Sequence, residues 1–261
     1  MIARARARSG PLNSFDGGAA ADGSNLARRM TALLAFDTAT ERMLIALSVG
    51  GRLREHTAAG GAKASVSLIP SILSLLGQAG ITLDDLDAIA FGRGPGAFTG
   101  LRTACSVAQG LALGAGKTVI PIDSLLLVAE DVRDGAESIR VWVAIDARMN
   151  QIYAAEYEFG SDEWRVRTAP LLTDCERLSA RWAVEPAQVV AGDALRVFGP
   201  RLDTGAARLG PEARPRPKAL AGLAERAWRQ GAAVDPALAL PLYVRDKVAE
   251  TTSERAAASR T

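Results

Sequence analysis

The feature that most constrains this chain is an internal repeat. Leu34-Ala35-Phe36-Asp37, five residues, then Met43-Leu44-Ile45-Ala46 recurs as Val143-Ala144-Ile145-Asp146, five residues, then Ile152-Tyr153-Ala154-Ala155, at a constant offset of 109. Each copy reads as a β-hairpin with an aspartate closing its first strand. Two strand-Asp-turn-strand units at corresponding places predict a duplicated lobe.

Around the first hairpin, Arg52 to Thr57 reads as a third strand. Ala64 to Leu76 carries apolar residues at helical rather than alternating spacing, which predicts a helix ending at Gly77 or Gly80. Thr82-Leu83-Asp84-Asp85 has the spacing of a capping box, so Asp84, Asp85 and Asp87 read as turn and cap residues rather than catalytic acids. Leu86 to Phe91 is a strand, Thr99 to Leu113 a helix and Lys117 to Ile122 a strand. Ser124 to Val132 follows as a helix and Ile139 to Ile145 as the first strand of the second hairpin. Later signals are weaker: a strand at 164–172, a helix at 174–182, a strand at 188–191, a loop-rich stretch at 192–217 and an Ala-rich helix at 217–229.

The stretch Phe91-Gly-Arg-Gly-Pro-Gly-Ala-Phe-Thr-Gly-Leu-Arg102 lies between a strand and a helix. A glycine-rich turn there can present backbone N–H groups to an anion, and it is equally what close packing requires. It lacks the P-loop lysine. Gly92-x-Gly94-x-x-Ala97 with Asp123 beyond the next strand fits a loose dinucleotide pattern, but it follows a hairpin and a helix instead of opening a βαβ unit. Phosphate oxygens are better matched by the first hairpin turn, Asp37-Thr38-Ala39-Thr40, with its hydroxyls and backbone N–H groups. Asp146-Ala147-Arg148 is a poorer second turn, lacking the Gly and hydroxyl pair. For either aspartate, simple capping of a hairpin is an equal alternative.

Composition narrows the chemistry. The lone histidine, His56, has no His or Cys at ligand spacing, which argues against a His-based zinc or iron site and against a Ser-His-Asp or Cys-His nucleophile. Cys105 and Cys175 match neither a disulfide framework nor a zinc spacing, so the expected setting is reducing and cytoplasmic. The net charge is +2, but the first 29 residues hold five arginines against Asp16 and Asp22. That leaves 26 basic and 27 acidic residues from position 30 onward, a near-neutral body that does not predict a strongly electrostatic nucleic-acid surface. No apolar run approaches a membrane span. The expected organisation is a disordered extension or over-extended start at 1–29, with a targeting peptide as the lesser alternative, then lobes at 30–122 and 123–248 and a polar tail at 249–261.

Four segments carry a resemblance. Phe91 to Arg102, with Phe36-Asp-Thr-Ala-Thr40, Ala144-Ile-Asp-Ala-Arg-Met149 through Tyr153, and Pro241-Leu-Tyr-Val-Arg245, closely resembles the TsaB (YeaZ) family, over about Met30 to Val248. The resemblance implies an α/β fold with two actin-like, ribonuclease H-like lobes and a chain that performs no chemistry itself. It implies pairing with a paralogous catalytic subunit, TsaD, which transfers threonylcarbamoyl to adenosine 37 of tRNAs reading codons that start with A. A small ATPase, TsaE, docks on that pair, a homodimer is a second option, and tRNA is met only through the complex. The catalytic paralogue's His-x-x-x-His metal pair falls on Ser124 and Val128 here, so no metal site is implied, and a histidine common before the first helix's Leu-x-Pro falls on Ala64. Older peptidase labels for the superfamily find no support in these residues.

On this reading catalytic residues are absent. Asp37, Thr38 and Thr40 are the nucleotide-binding candidates, vestigial or shared with the partner, with ATP or ADP at the complex interface rather than a cofactor of this chain alone. The helix after the glycine-rich turn is apolar or small around almost its whole circumference, so it needs burial on more than one side. Val66, Leu75, Val107 and Leu111 are the expected partner interface. The alternative is an ATP-dependent small-molecule kinase of the same fold, weakened because no Gly-Gly follows Gly61. A Rossmann oxidoreductase is third.

Overall fold

A computed structural model describes residues 30–245. The expected extension at 1–29 and tail at 249–261 lie outside the described residues. Strand β1, Ala32–Asp37, is buried at all six positions. Its even-numbered side chains Leu34 and Phe36 face one apolar cluster, and Leu33 and Ala35 face another on the opposite side. An unbroken apolar run is what a strand covered on both faces requires. Strands β2 (Arg42–Val49) and β3 (Arg52–Ala59) continue it as an antiparallel meander.

Helix α1, Ala64–Ala79, ends at Gly80 in the left-handed region, φ 70°. Strand β4 (Ala88–Gly94) pairs parallel to β1, helix α2 (Phe98–Ala115) returns the chain, and strand β5 (Thr118–Asp123) pairs parallel to β4. The sheet order is β3-β2-β1-β4-β5. Between α1 and β4, Thr82 and Asp85 form the expected capping box, and Asp87 accepts a hydrogen bond from the Ala32 amide at 2.8 Å.

Helix α3, Ser124–Arg133, leads into the second copy. Strands β6 (Ile139–Asp146), β7 (Ile152–Gly160) and β8 (Glu163–Thr173) form an antiparallel meander. Helix α4 (Cys175–Val184) is capped by Asp174, whose carboxylate accepts from the Arg177 amide at 2.9 Å. Strand β9 (Val189–Ala191), helix α5 (Ala194–Phe198) and strand β10 (Arg208–Gly210) complete a sheet of order β10-β9-β6-β7-β8. Every pairing has the same sense as its counterpart in the first sheet, so the duplication seen in sequence is a duplication of topology. This is the actin-like, ribonuclease H-like two-lobed fold.

Three details differ from the sequence reading. In the first hairpin Asp37 pairs with Leu44, whereas in the second Asp146 pairs with Ile152, so the second turn is one residue shorter and the offset changes within the hairpin. Helix α6, Pro217–Arg229, expected in the second lobe, packs Leu220, Ala221, Leu223 and Ala224 against Leu33, Ala35, Leu44 and Ile120 of the first sheet. Lobe 1 therefore recruits a helix from beyond lobe 2, and the residues from Thr31 onward group as one unit. The stretch 192–217, read as loop, contains α5 and the edge strand β10.

Candidate functional site

The four segments that carry the resemblance meet in space. At the end of β1 the Asp37 carboxylate is buried: one oxygen accepts from the Ala39 amide at 2.5 Å and the other from the Ser124 hydroxyl at 2.6 Å. Ser124 in turn accepts from the Gly94 amide at 3.1 Å. Burial pushes the Asp37 carboxyl up from its ordinary value of 3.8, against the opposing pull of these two hydrogen bonds. Thr38 is also buried, and its hydroxyl donates to the Gly100 carbonyl at 2.7 Å.

The glycine-rich loop thus lies directly on the first hairpin turn. A Cβ at Gly92 would stand 2.0 Å from an Asp37 carboxylate oxygen, and one at Gly100 would stand 1.9 Å from the Thr38 carbonyl oxygen. Glycine is needed at 100 because two backbones touch, and at 92 because the buried Asp37 side chain lies against the loop backbone. The candidates Asp37 and Thr38 accordingly point inward beneath the loop, and only Thr40 reaches the edge, where its hydroxyl donates to the Arg42 carbonyl at 3.1 Å.

Pro241 to Arg245 forms a strap over the same loop. The Leu242 amide donates to the Arg93 carbonyl at 2.7 Å, and Gln109 on α2 donates to the Pro236 and Ala239 carbonyls at 3.1 Å each. The Tyr243 ring stacks obliquely on Phe98 at 5.4 Å and its hydroxyl accepts from Arg102 at 3.1 Å. Arg245 reaches the second hairpin turn and donates to the Ala147 carbonyl at 2.8 Å. That turn holds Arg148, Met149 and Asn150 at positive φ, and the Arg148 guanidinium forms an ion pair with Glu41 of the first turn. The Asp146 amide donates to Asp193 at 3.0 Å, which ties the turn to the residue preceding α5.

Helices α1 and α2 lie side by side over one face of the first sheet. In α1 the core stripe is Ala64, Leu68, Ile72, Leu75 and Leu76. The expected interface residue Leu75 is only 5% exposed and belongs to this core, which corrects its assignment. The reason is helical phase: a second apolar stripe, Val66, Ile69 and Leu73, sits roughly 120° around the helix and is 78%, 42% and 52% exposed. Val107 and Leu111 of α2 are half-buried against the core, and Leu113 is 64% exposed. Ile69, Leu73 and Leu113 were missed in sequence, although three apolar residues at i, i+3 and i+7 beside a complete core stripe are a legible signal.

Ser124 is engaged with Asp37, and Val128 sits in the apolar cluster shared by α3 and the second sheet. Among the described residues no group of three or more His, Cys, Asp and Glu side chains is placed to hold a metal ion, and no helix is long and apolar enough to cross a membrane. His56 on β3 lies 3.4 Å from the Ser71 hydroxyl on α1. A cavity of about 480 Å³ beside α5, lined by Leu195, Pro200, Leu209 and neighbours, borders none of the residues singled out from sequence.

The chain is similar to several known proteins. A family model described as TsaD, tRNA N6-adenosine threonylcarbamoyltransferase, matches residues 53–198. The tRNA threonylcarbamoyladenosine biosynthesis protein TsaB of Escherichia coli K12 is 40% identical over 126 residues, 48% of this chain and 54% of that protein. Its counterpart in Haemophilus influenzae is 40% identical over 124 residues, 48% of this chain and 52% of that protein. The chain thus spans about half the length of the curated relatives it matches. Two solved structures from Pseudomonas aeruginosa match more of it. One is YeaZ, with TM-score 0.73 and 35% identity over 82% of this chain and 100% of that one. The other, an uncharacterised protein with similarity to peptidase YeaZ, has TM-score 0.75 and 35% identity over 83% of this chain and 100% of that one. Because the Pseudomonas aeruginosa YeaZ structure is matched along its whole length at 35% identity, the chain belongs to the TsaB (YeaZ) family.

Proposed function

We propose that this chain is the non-catalytic partner subunit of a tRNA threonylcarbamoyladenosine synthesis complex. It pairs through α1 and α2 with a TsaD-type catalytic paralogue that modifies adenosine 37 of tRNAs reading codons that start with A. The observation that carries the reading is the second apolar stripe of α1, Val66, Ile69 and Leu73, left uncovered beside the half-buried Val107 and Leu111 of α2. Apolar side chains at helical spacing on an exposed face favour burial against a partner helix. A specific interface of this kind buries roughly 1,600 Å² in total.

On this reading the inward-turned Asp37 and Thr38 hold the loop that launches α2. Any ATP or ADP at the interface meets this chain through surface atoms near Thr40 rather than through the Asp37 carboxylate. A TsaE-type ATPase docks on the pair, tRNA is met through the complex, and a homodimer through the same helices competes with the heterodimer. The chain works in the cytoplasm, where the tRNA substrates of the complex are.

The test is co-expression with a TsaD-type paralogue, followed by gel filtration and an assay of threonylcarbamoyl transfer to tRNA. Co-elution and activity of the pair, lost with Leu73→Asp in a chain that still folds, support the proposal. Transfer by this chain alone, or unchanged pairing of the variant, overturns it.

A further inference from the structure

A surface helix normally carries charged side chains on its solvated face. Helices α1 and α2, of 16 and 18 residues, carry one charged side chain between them, Arg102. Residues 236–244, the approach to the strap and the strap itself, add none. Charge depletion of this kind marks the core of a protein interface, where arginine and tyrosine are the polar exceptions.

Helical phase places the single charge. Phe98, Arg102, Cys105 and Gln109 repeat at i, i+4, i+7 and i+11, and all four touch the chain between Pro236 and Tyr243. The exposed positions Thr99, Ser106, Gly110 and Leu113 form the next row round the helix, and Arg102, also exposed, borders it. Leu238 and Leu240, on the segment that lies along α2, are exposed as well. Arg102 is therefore the one charge on an otherwise apolar and small-residue surface.

Arg102 is held in place without being neutralised. Its guanidinium carbon lies 4.1 Å from the Phe98 ring centre, and its Nε donates to the Tyr243 hydroxyl at 3.1 Å. Among the described residues neither terminal nitrogen has a hydrogen-bond partner and no carboxylate pairs with the group. A guanidinium fixed in this way presents its open fork in one orientation, the geometry that carboxylate recognition uses.

On the pairing through α1 and α2 proposed above, on which this rests, a partner covers that fork, and a charge buried without a counter-charge is costly. A second copy cannot supply one from the same face. A two-fold interface presents the same patch from both sides, and α1, α2 and residues 236–244 contain no carboxylate. Asp85 and Asp235, which lie outside these segments, each cap a backbone turn.

We propose that Arg102 selects the partner. It takes a carboxylate from an otherwise apolar helical face, and so favours a heterologous partner over a second copy of this chain.

The test measures two dissociation constants by sedimentation, for the full chain with a TsaD-type paralogue and for the full chain with itself. Arg102→Gln should shift the ratio of the two by at least about ten-fold toward the homodimer, and flatten the salt dependence of the heterodimer. Tyr243→Phe removes the hydroxyl that Arg102 bonds but keeps the ring and the charge, so it should leave the ratio in place. Leu73→Asp should abolish both pairings. A smaller shift for Arg102→Gln, an unaltered salt dependence, or an equal shift for Tyr243→Phe overturns the role of Arg102 while the pairing face stands. If Leu73→Asp pairs as the wild type does, the pairing face falls and the role of Arg102 with it.

Discussion

The Ser124 hydroxyl donates to the Asp37 carboxylate at 2.6 Å, joining the end of β1 to the first residue of α3 beneath the glycine-rich loop. This contact couples the first hairpin turn to the helix that leads into the second lobe. Gly92 lies against the same carboxylate, so the loop can approach only because that position has no side chain.

Gly92→Ala is therefore expected to destabilise the chain by about 3 kcal/mol through overpacking against Asp37. Gly77→Ala, in the exposed last turn of α1 with open space around its Cβ position, should stabilise it by about 0.5–1 kcal/mol. Urea unfolding of both variants checks the pair. Equal effects would refute the loop-on-turn account.

The raised Asp37 carboxyl has a pH signature. The folded chain binds this proton more readily than the unfolded chain, so the Asp37 contribution to stability falls as pH rises from the ordinary value of 3.8 through the higher folded value, then levels off. In Asp37→Asn that contribution is absent. The difference in unfolding free energy, wild type minus variant, should thus decline as pH rises above about 4. A pH-independent difference counts against burial as the cause.

Leu75 and Leu73 separate core from surface within one helix. Leu75→Ala should cost about 2–5 kcal/mol as a buried leucine truncation. Leu73→Asp should change stability by no more than about 0.5 kcal/mol, because its side chain is half-exposed. Thermal and urea unfolding read the difference, and the surface variant is the one to carry into pairing experiments.

The strap is held at its approach by Gln109, whose amide reaches the Pro236 and Ala239 carbonyls just before it. Gln109→Ala should cost about 1–2 kcal/mol and speed hydrogen exchange at the Leu242 amide, which bonds to Arg93. Exchange at the β1 amides should rise less. Unchanged exchange at Leu242 would show that Gln109 does not hold the strap.

Much of this chain was readable from its residues. The apolar runs on either side of the Asp37 turn announced the first hairpin, the helical spacing in α1 announced that helix, and the repeated strand-Asp-turn-strand announced two lobes. These follow from local periodicity, which each segment carries by itself. The family was legible as well, because the loop, both turns and the strap are contiguous motifs.

Other properties belonged to the tertiary structure. A glycine at 92 reads equally as a phosphate cradle or as a packing gap, and only the 2.0 Å approach to Asp37 decides between them. Leu73 and Leu75 are equally apolar in sequence, but the position of the sheet beneath α1 makes one surface and the other core. The three residues of β10 form a strand because β9 offers them an edge, and α6 joins the first sheet because it covers the β1, β2 and β3 part of the second face that α3 leaves open. Periodicity records what a segment can bury; which partner covers it is decided by the segments that fold against it.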